Sequence, residues 1–292
     1  MSKYQIISDS SCDIPQIYKE KYGIDIVPFY YTFDKVNYGR EGVDTTLENF
    51  YDIMMKKNYP STTLPTIGDY AEKFEKYAAQ GTDVLCICLT SKFSGSYASA
   101  VNAAELVREA FPNVKIEVVD SVQGAGGQGL MVLQAAKMLE EGIELEEAAR
   151  ILRAMSSEGE VIFSVSDLDF LVHGGRLGKA SSLLGTILNI QPIIAIKTGE
   201  LQAYSKVRGV KKALKKMVQI ALDNVGENIK DYYFCVVDTT RPDDAKVIEN
   251  LLTEAGVDFL VPDYFPIGVT ISAHSGPYNV GLAYIKKYTK FM

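Results

Sequence analysis

The sequence predicts an α/β protein of two domains, with a mostly parallel sheet in the first domain and a mixed or antiparallel sheet in the second. In the first half of this 292-residue chain, strand, polar-loop and helix patterns alternate, which is typical of βαβ units with helices flanking the sheet. In the second half, Thr198-Gly199-Glu200 directly joins two strand patterns, which predicts an antiparallel hairpin. We therefore expect α/β domains at residues 1–158 and 159–292.

Composition argues against several functional classes. The 30 basic and 37 acidic residues give a net charge of −7, whereas a nucleic-acid partner requires a basic face. No apolar stretch reaches the length of a membrane span and no signal sequence is apparent, so we expect a cytoplasmic protein. The four cysteines lie in or beside strand patterns, which favours buried free thiols. With only two histidines, we expect no histidine-rich metal site, and we also expect no cofactor.

Residues 83–104 form the clearest strand, loop and helix unit. The apolar run from Val84 to Leu89 predicts a strand that is buried on both faces of a parallel sheet. Small and apolar residues then recur at helical spacing, so Ser91, Ser94 and Ser96 lie at a predicted helix N-terminus. Unpaired N–H groups there can bind an anion, although one serine can equally serve only as the helix cap. The pattern leaves both interpretations open.

Other patterns of the first half place polar loops at the same edge of the sheet. Loops with hydroxyl groups follow strands at residues 8–11, 90–96 and 120–121. Ligands of parallel sheets bind where such loops follow the strands. A further loop with two prolines and several hydroxyl groups is predicted at residues 60–68. The glycine-rich turn 124–129 before a helix at 130–141 lacks the register of a phosphate-binding loop, so close helix packing explains it better.

The second half contains one pattern that is apolar nearly all round, at residues 183–190. It predicts a helix buried between the domains, which Pro192 ends. Short apolar segments follow near the C-terminus, at residues 259–261, 269–272 and 280–284. A basic cluster begins near the helix predicted at 209–224, and it is either a solvated helix face or a docking site for a partner or an acyl phosphate. Its members are Lys206, Arg208, Lys211, Lys212, Lys215 and Lys216.

Six segments, spread in order over nearly the whole chain, together resemble the DegV family. They are DSSCDIP at 9–15, TTLPT at 62–66, SKFSGSY at 91–97, DS at 120–121, GGRLG at 174–178 and HSGP at 274–277. The resemblance implies a two-domain α/β fold with the ligand site between the domains. It also implies a fatty-acid-binding protein of bacterial phospholipid metabolism. Such a protein is similar to the subunit of fatty acid kinase that presents an acyl chain to a separate ATP-binding subunit.

The resemblance implies roles for individual residues. Thr62, Ser94 and His274 match the positions that hold the fatty-acid carboxylate, and Arg176 matches a basic position near the head group or the kinase docking face. Further contacts with the head group or partner are expected from Thr63, Gly95 and Arg208. Tyr278 departs from the family pattern because a glycine commonly stands there, so a bulky ring beside His274 would narrow the pocket or its entrance.

The chemistry of a long-chain fatty acid, palmitate-like or oleate-like, agrees with these residues. Burial of roughly 14 methylenes at about 0.8 kcal/mol each gives about 11 kcal/mol of gross hydrophobic gain. The carboxylate needs several donors to replace its lost hydration, and neutral hydroxyl groups supply them without a buried ion pair. This predicts a carrier with no catalytic activity of its own, in at most transient contact with a membrane.

Two alternatives belong to other functional classes. A serine hydrolase or acyltransferase would use Ser94 as nucleophile and His274 as base, but the sequence lacks a G-x-S-x-G elbow and an evident carboxylate to orient the imidazole. A small-molecule kinase would need a nucleotide-binding loop, and none is apparent.

Overall fold

The structure is a computed structural model that describes residues 4–166, 168–183 and 190–292. Its strands are β1 Tyr4–Asp9, β2 Asp25–Val27, β3 Tyr30–Thr32, β4 Gly39–Arg40, β5 Ser61–Thr63, β6 Asp83–Cys88, β7 Ile116–Asp120, β8 Gly159–Val165, β9 Ile190–Lys197, β10 Glu200–Arg208, β11 Tyr232–Asp238, β12 Asp258–Phe259, β13 Phe265–Pro266 and β14 Asn279–Lys286. Its α-helices are α1 Gln16–Tyr22, α2 Leu47–Met55, α3 Ile67–Ala78, α4 Ser96–Ala110, α5 Ala125–Glu140, α6 Leu145–Met155, α7 Asp169–His173, α8 Val210–Val225, α9 Pro242–Glu254 and α10 Val269–Ser275.

Two large sheets organise these elements, as the sequence predicts. The first sheet has the order β2-β1-β6-β7 and all its pairs are parallel. The second has the order β10-β9-β8-β14-β11-β12, with β13 also paired to β11, and it mixes parallel and antiparallel pairs. The predicted hairpin of β9 and β10 is confirmed, with Leu201 opposite Ile196. Strands β4, β3 and β5 form a small third sheet, so part of the predicted loop 60–68 is a strand.

Helix α5 lies between the two large sheets and packs against strands of both. A Cβ on Gly126 would lie 2.5 Å from Cγ1 of Val237 in β11, and a Cβ on Gly129 would lie 2.4 Å from the backbone oxygen of Cys12. The predicted reason for these glycines, close packing, is therefore confirmed. The predicted turn at 124–129 is wrong, because the glycines belong to the first turns of a buried helix that begins at Ala125.

Some predicted boundaries change. The residues predicted as a helix at 183–190 fall largely at 184–189, outside the described residues, while Leu183 ends a 3-10 helix and Ile190 begins β9. Pro192 lies within β9 and does not end a helix. One hydrophobic cluster contains residues from both halves of the chain, so the boundary at residue 158 stays a prediction.

Three composition-based expectations can be compared with the described residues. All four cysteines are buried and free. Over the described part of the chain, no helix has the length and apolar character needed to cross a bilayer. In the same ranges, no group of three or more His, Cys, Asp or Glu side chains is arranged to hold a metal ion.

Candidate functional site

A cavity of about 450 Å³ lies between the two large sheets. This volume is within the usual range for small-molecule sites. Apolar side chains from both halves of the chain line it: Phe29, Leu64, Leu89, Phe93, Val161, Phe163, Leu171, Ile196, Leu201, Val237, Ile267 and Ile271. Polar groups come from the loop after β6, from β5 and from α10. The cavity therefore offers an apolar interior together with a small set of hydrogen-bonding groups.

The structure brings most of the predicted site residues to this cavity. Its lining includes Thr62, Thr63, Ser94, Gly95, Arg176 and His274. Arg208 is not part of the lining and is exposed at the end of β10. Tyr278 is also absent from the lining and its side chain is 41% exposed, so it does not narrow the cavity in this structure.

His274 and Thr62 form the central pair of polar groups. His274 lies in the last turn of α10 and Thr62 in β5, and the imidazole Nε2 is 2.8 Å from Oγ1 of Thr62. Burial, and then the positive charge of Arg176, lower the pKa of His274 from 6.5 to about 4. The imidazole is therefore neutral near pH 7. When its Nε2–H donates to Thr62, the threonine hydroxyl proton is free to donate into the cavity.

The other nitrogen of His274 faces the backbone of Gly174. Nδ1 is buried and makes no hydrogen bond of good geometry. A Cβ placed on Gly174 would lie only 2.1 Å from Nδ1, so glycine is required for this approach. No carboxylate orients the imidazole from the described residues. The ring is held by packing on one side and by Thr62 on the other.

Ser94 combines the two roles that the sequence leaves open. Its Oγ accepts a hydrogen bond of 3.2 Å from the N–H of Ser96, the first residue of α4. Because a hydroxyl can accept and donate at once, the Ser94 proton stays available to an acceptor in the cavity. Ser94 therefore helps to begin the helix and presents a donor to the cavity.

A buried network at Asp9 holds the start of α4, and sequence reasoning missed it. Asp9 accepts hydrogen bonds from Ser96 Oγ (2.9 Å), from the N–H of Leu89 (2.9 Å) and from Gln128 Nε2 (2.8 Å). Burial raises the pKa of Asp9, while these hydrogen bonds and that of Ser11 lower it. The network fixes the loop that carries Ser94 to the end of β1. The available signal was an aspartate directly after a buried strand pattern.

Arg176 joins loops from the two halves of the chain. Its Nη1 donates to the Gly174 oxygen at 2.8 Å, and Nε and Nη2 donate to the Phe93 oxygen at 3.3 Å. Within the described ranges its guanidinium contacts these carbonyl oxygens and not a carboxylate. The charge of Arg176 is thus available to an anion at the cavity.

His173 is placed away from this chemistry. Its ring stacks on Tyr59, with centroids 3.8 Å apart and an angle of 6° between the planes. His173 is not part of the cavity lining.

Comparisons with known proteins agree with the fold and extend over the whole site. The family model described as uncharacterised protein of the DegV family matches residues 3–287. The curated "Fatty acid-binding protein" of Thermotoga maritima is 34% identical over 289 residues, and the match covers 96% of each chain.

Two solved structures are similar over their full lengths. A stearic acid-binding protein from Eubacterium ventriosum has a TM-score of 0.92 and 34% identity, covering 98% of this chain and 99% of that one. A DegV family protein from Thermus thermophilus, described by its fatty acid binding, has a TM-score of 0.87 and 28% identity, covering 97% and 99%. The α/β fold with one parallel and one mixed sheet is therefore shared with these proteins.

Proposed function

The chain belongs to the DegV family, and from this premise we propose that it binds one long-chain fatty acid in the cavity between its two large sheets. The observation that carries the proposal is the neutral pair of Thr62 and His274 at a cavity with an apolar interior. A ligand that matches needs a long apolar part and one anionic group. Fatty acids have this form, and relatives over the full chain are named for binding them.

The proposed site divides the work between tail and head group. The apolar side chains of both sheets supply affinity, since each buried methylene contributes about 0.8 kcal/mol. The hydroxyl groups of Thr62 and Ser94 donate to the carboxylate, while His274 holds the Thr62 hydroxyl in place. Arg176 adds a positive charge nearby. Direct neutral donors keep the carboxylate hydrogen-bonded without the desolvation of a tightly paired salt bridge.

We further propose that the protein presents this carboxylate to a separate, ATP-dependent kinase subunit in the cytoplasm. Lys92, Gly95 and Arg176 line the cavity and are exposed residues, so its polar groups adjoin the surface. In the phosphoryl transfer, a carboxylate oxygen would bond to the γ-phosphorus of ATP as the bond to ADP breaks, giving an acyl phosphate. The partner would supply the nucleotide site, and this chain would supply the oriented carboxylate.

The geometry favours a carrier over a serine hydrolase. Ser94 and His274 share no hydrogen bond among the described residues: Nε2 of His274 contacts Thr62, and Ser94 Oγ accepts from the N–H of Ser96. A pKa of about 4 also makes His274 a weak general base near pH 7. Stoichiometric labelling of Ser94 by a fluorophosphonate probe would contradict the carrier proposal. ATP turnover by the purified chain alone would contradict the need for a kinase partner.

Organic extraction of the purified protein, followed by mass spectrometry, tests fatty-acid binding. We expect close to one long-chain fatty acid per chain, and re-uptake of palmitate or oleate after delipidation. A folded protein that contains no fatty acid and takes up neither would contradict the proposal. Ser61→Ala is a suitable control for substitutions of Thr62, because Ser61 is its exposed neighbour in β5 and does not line the cavity.

A further inference from the structure

Helix α10, which carries His274, is held at its first turn by two buried carboxylates. Glu41 accepts hydrogen bonds from the backbone N–H of Thr270 through Oε1 (3.2 Å) and from the Thr270 hydroxyl through Oε2 (2.5 Å). Asp13 accepts the N–H of Gly268 at 2.9 Å. Glu41 and Asp13 are 7% and 4% exposed, so both contacts are shielded from solvent.

The same Glu41 carboxylate also contacts the end of β1. Ser10 Oγ donates to Glu41 Oε2 at 2.5 Å and accepts from the N–H of Phe29 at 2.9 Å. Phe29 is itself part of the cavity lining. Glu41 therefore connects α10 to the first sheet and to one wall of the cavity.

Glycine at position 268 permits the close approach of these carboxylates. A Cβ there would lie 2.3 Å from Glu41 Oε1 and 2.5 Å from Asp13 Oδ1. The two carboxylates thus lie on the side of Gly268 that any larger residue would fill. This close contact fixes the position of the N-terminal end of α10 relative to Glu41 and Asp13.

The contact that holds Thr270 also restrains the position of His274. The two residues are four positions apart in one helix, so they share a face and are separated by one turn. Both side chains line the cavity. A helix of two turns, held by Glu41 at Thr270 and by Thr62 at His274, has little freedom to rotate about its axis.

We propose that Glu41 is a positioning residue for the carboxylate site: through Thr270 it sets the rotation of α10 that brings His274 Nε2 to Thr62. This inference rests on the proposed fatty-acid function. It assigns to Glu41 a role in that function in addition to its role in packing. Glu41 does not line the cavity and acts only through the helix.

The substitution Glu41→Gln tests this role, because it keeps the size of the side chain and removes its charge. The chain has two histidines, so the spectrum of imidazole nitrogens contains two sets of signals, and His173→Gln assigns them. We expect the His274 signals of Glu41→Gln to shift in both the lipid-free and the loaded protein. We also expect fatty acid to dissociate about fivefold faster or more, the ratio that corresponds to about 1 kcal/mol.

The direction in which the pKa of His274 changes distinguishes displacement of the ring from the loss of the Glu41 charge alone. Removal of an anion alone would lower the imidazole pKa, because a nearby anion favours the imidazolium. A displaced ring is better hydrated and farther from Arg176, so its pKa should rise from about 4 toward 6.5. We expect this rise. Thr270→Val, which removes the hydroxyl and keeps the shape, should shift the same signals and covers the case in which Glu41→Gln does not fold.

Glu160→Gln is the matched control. Glu160 is also a buried carboxylate, 6% exposed, and it bonds to Asn224 and pairs with Lys197 away from α10. Glu160→Gln should lower the melting temperature without shifting the His274 signals or changing the dissociation rate of the fatty acid. The proposal is overturned if Glu41→Gln or Thr270→Val behaves like this control. Because the spectra are read without lipid as well, absence of fatty acid would contradict the binding function separately from this role of Glu41.

Discussion

Substitution of Gly174 by alanine should displace His274 without disturbing the backbone. Gly174 has φ −74° and ψ −7°, values that alanine adopts readily, so the local chain gains no strain. The added Cβ would lie 2.1 Å from Nδ1, 3.0 Å from Cγ and 3.1 Å from Cε1 of the imidazole. Normal van der Waals separation is about 3.5 Å or more. The ring must therefore move by more than 1 Å, which breaks its 2.8 Å hydrogen bond to Thr62.

This substitution should weaken ligand binding more than it lowers the free energy of unfolding. Loss of the hydrogen-bonded pair at the carboxylate should weaken fatty-acid binding by about 2 kcal/mol, which is about 30-fold in the dissociation constant. Titration of the delipidated protein with a fluorescent fatty acid measures this change. Gly68→Ala is the control, because its nearest neighbour, Thr66 Oγ1, lies at an ordinary 3.6 Å. Unchanged affinity in Gly174→Ala, with His274 still bonded to Thr62 by its imidazole spectrum, would refute this reasoning.

Three further predictions address the pair, its support and its protonation. Thr62→Val keeps the shape but removes the hydroxyl, so binding should weaken by about 1–2 kcal/mol in the same titration with little change in melting temperature; wild-type affinity would remove Thr62 from the site. Ser96→Ala takes a donor from buried Asp9 and should lower the free energy of unfolding by about 1–3 kcal/mol, measured with urea, whereas no loss would mean that water replaces the hydroxyl. The pKa of His274 is lower in the folded chain than in the unfolded chain, so the unfolded chain binds the proton more tightly. The contribution of the neutral His274 imidazole to stability is therefore present above pH 6.5 and is lost as the pH falls toward 4. His274→Gln should reduce this slope, and an identical slope would contradict the low pKa.

Local sequence patterns predict much of the framework. The apolar run of β6 and the helical spacing after it predict the unit that presents Ser94, and the structure has β6 at Asp83–Cys88 and α4 at Ser96–Ala110. The turn around Gly199 likewise predicts the β9–β10 hairpin. These features depend on residues close in sequence, where burial and turn geometry leave a regular pattern.

Other features depend on distant partners and leave a weaker pattern. The segment 269–272 is too short for its apolar residues to distinguish helix from strand, and it lies in α10 because Val269 and Ala273 pack with Phe50 of α2. The contact of Glu41 with Thr270 spans 229 positions, and that of Asp9 with Gln128 spans 119. The sequence around Glu41 and the sequence around Asp9 do not indicate which residue each of them contacts. The glycines of α5 are similarly explained only once both sheets are in place.

The central claim is that the cavity holds a fatty-acid carboxylate at Thr62 and Ser94, with His274 supporting the threonine. A crystal structure of the protein loaded with palmitate or oleate tests it most directly. We predict carboxylate oxygens within hydrogen-bond distance of Thr62 Oγ1 and Ser94 Oγ, with the acyl chain among the apolar side chains between the two sheets. A carboxylate bound elsewhere, or an empty cavity at saturating fatty acid, would contradict the account.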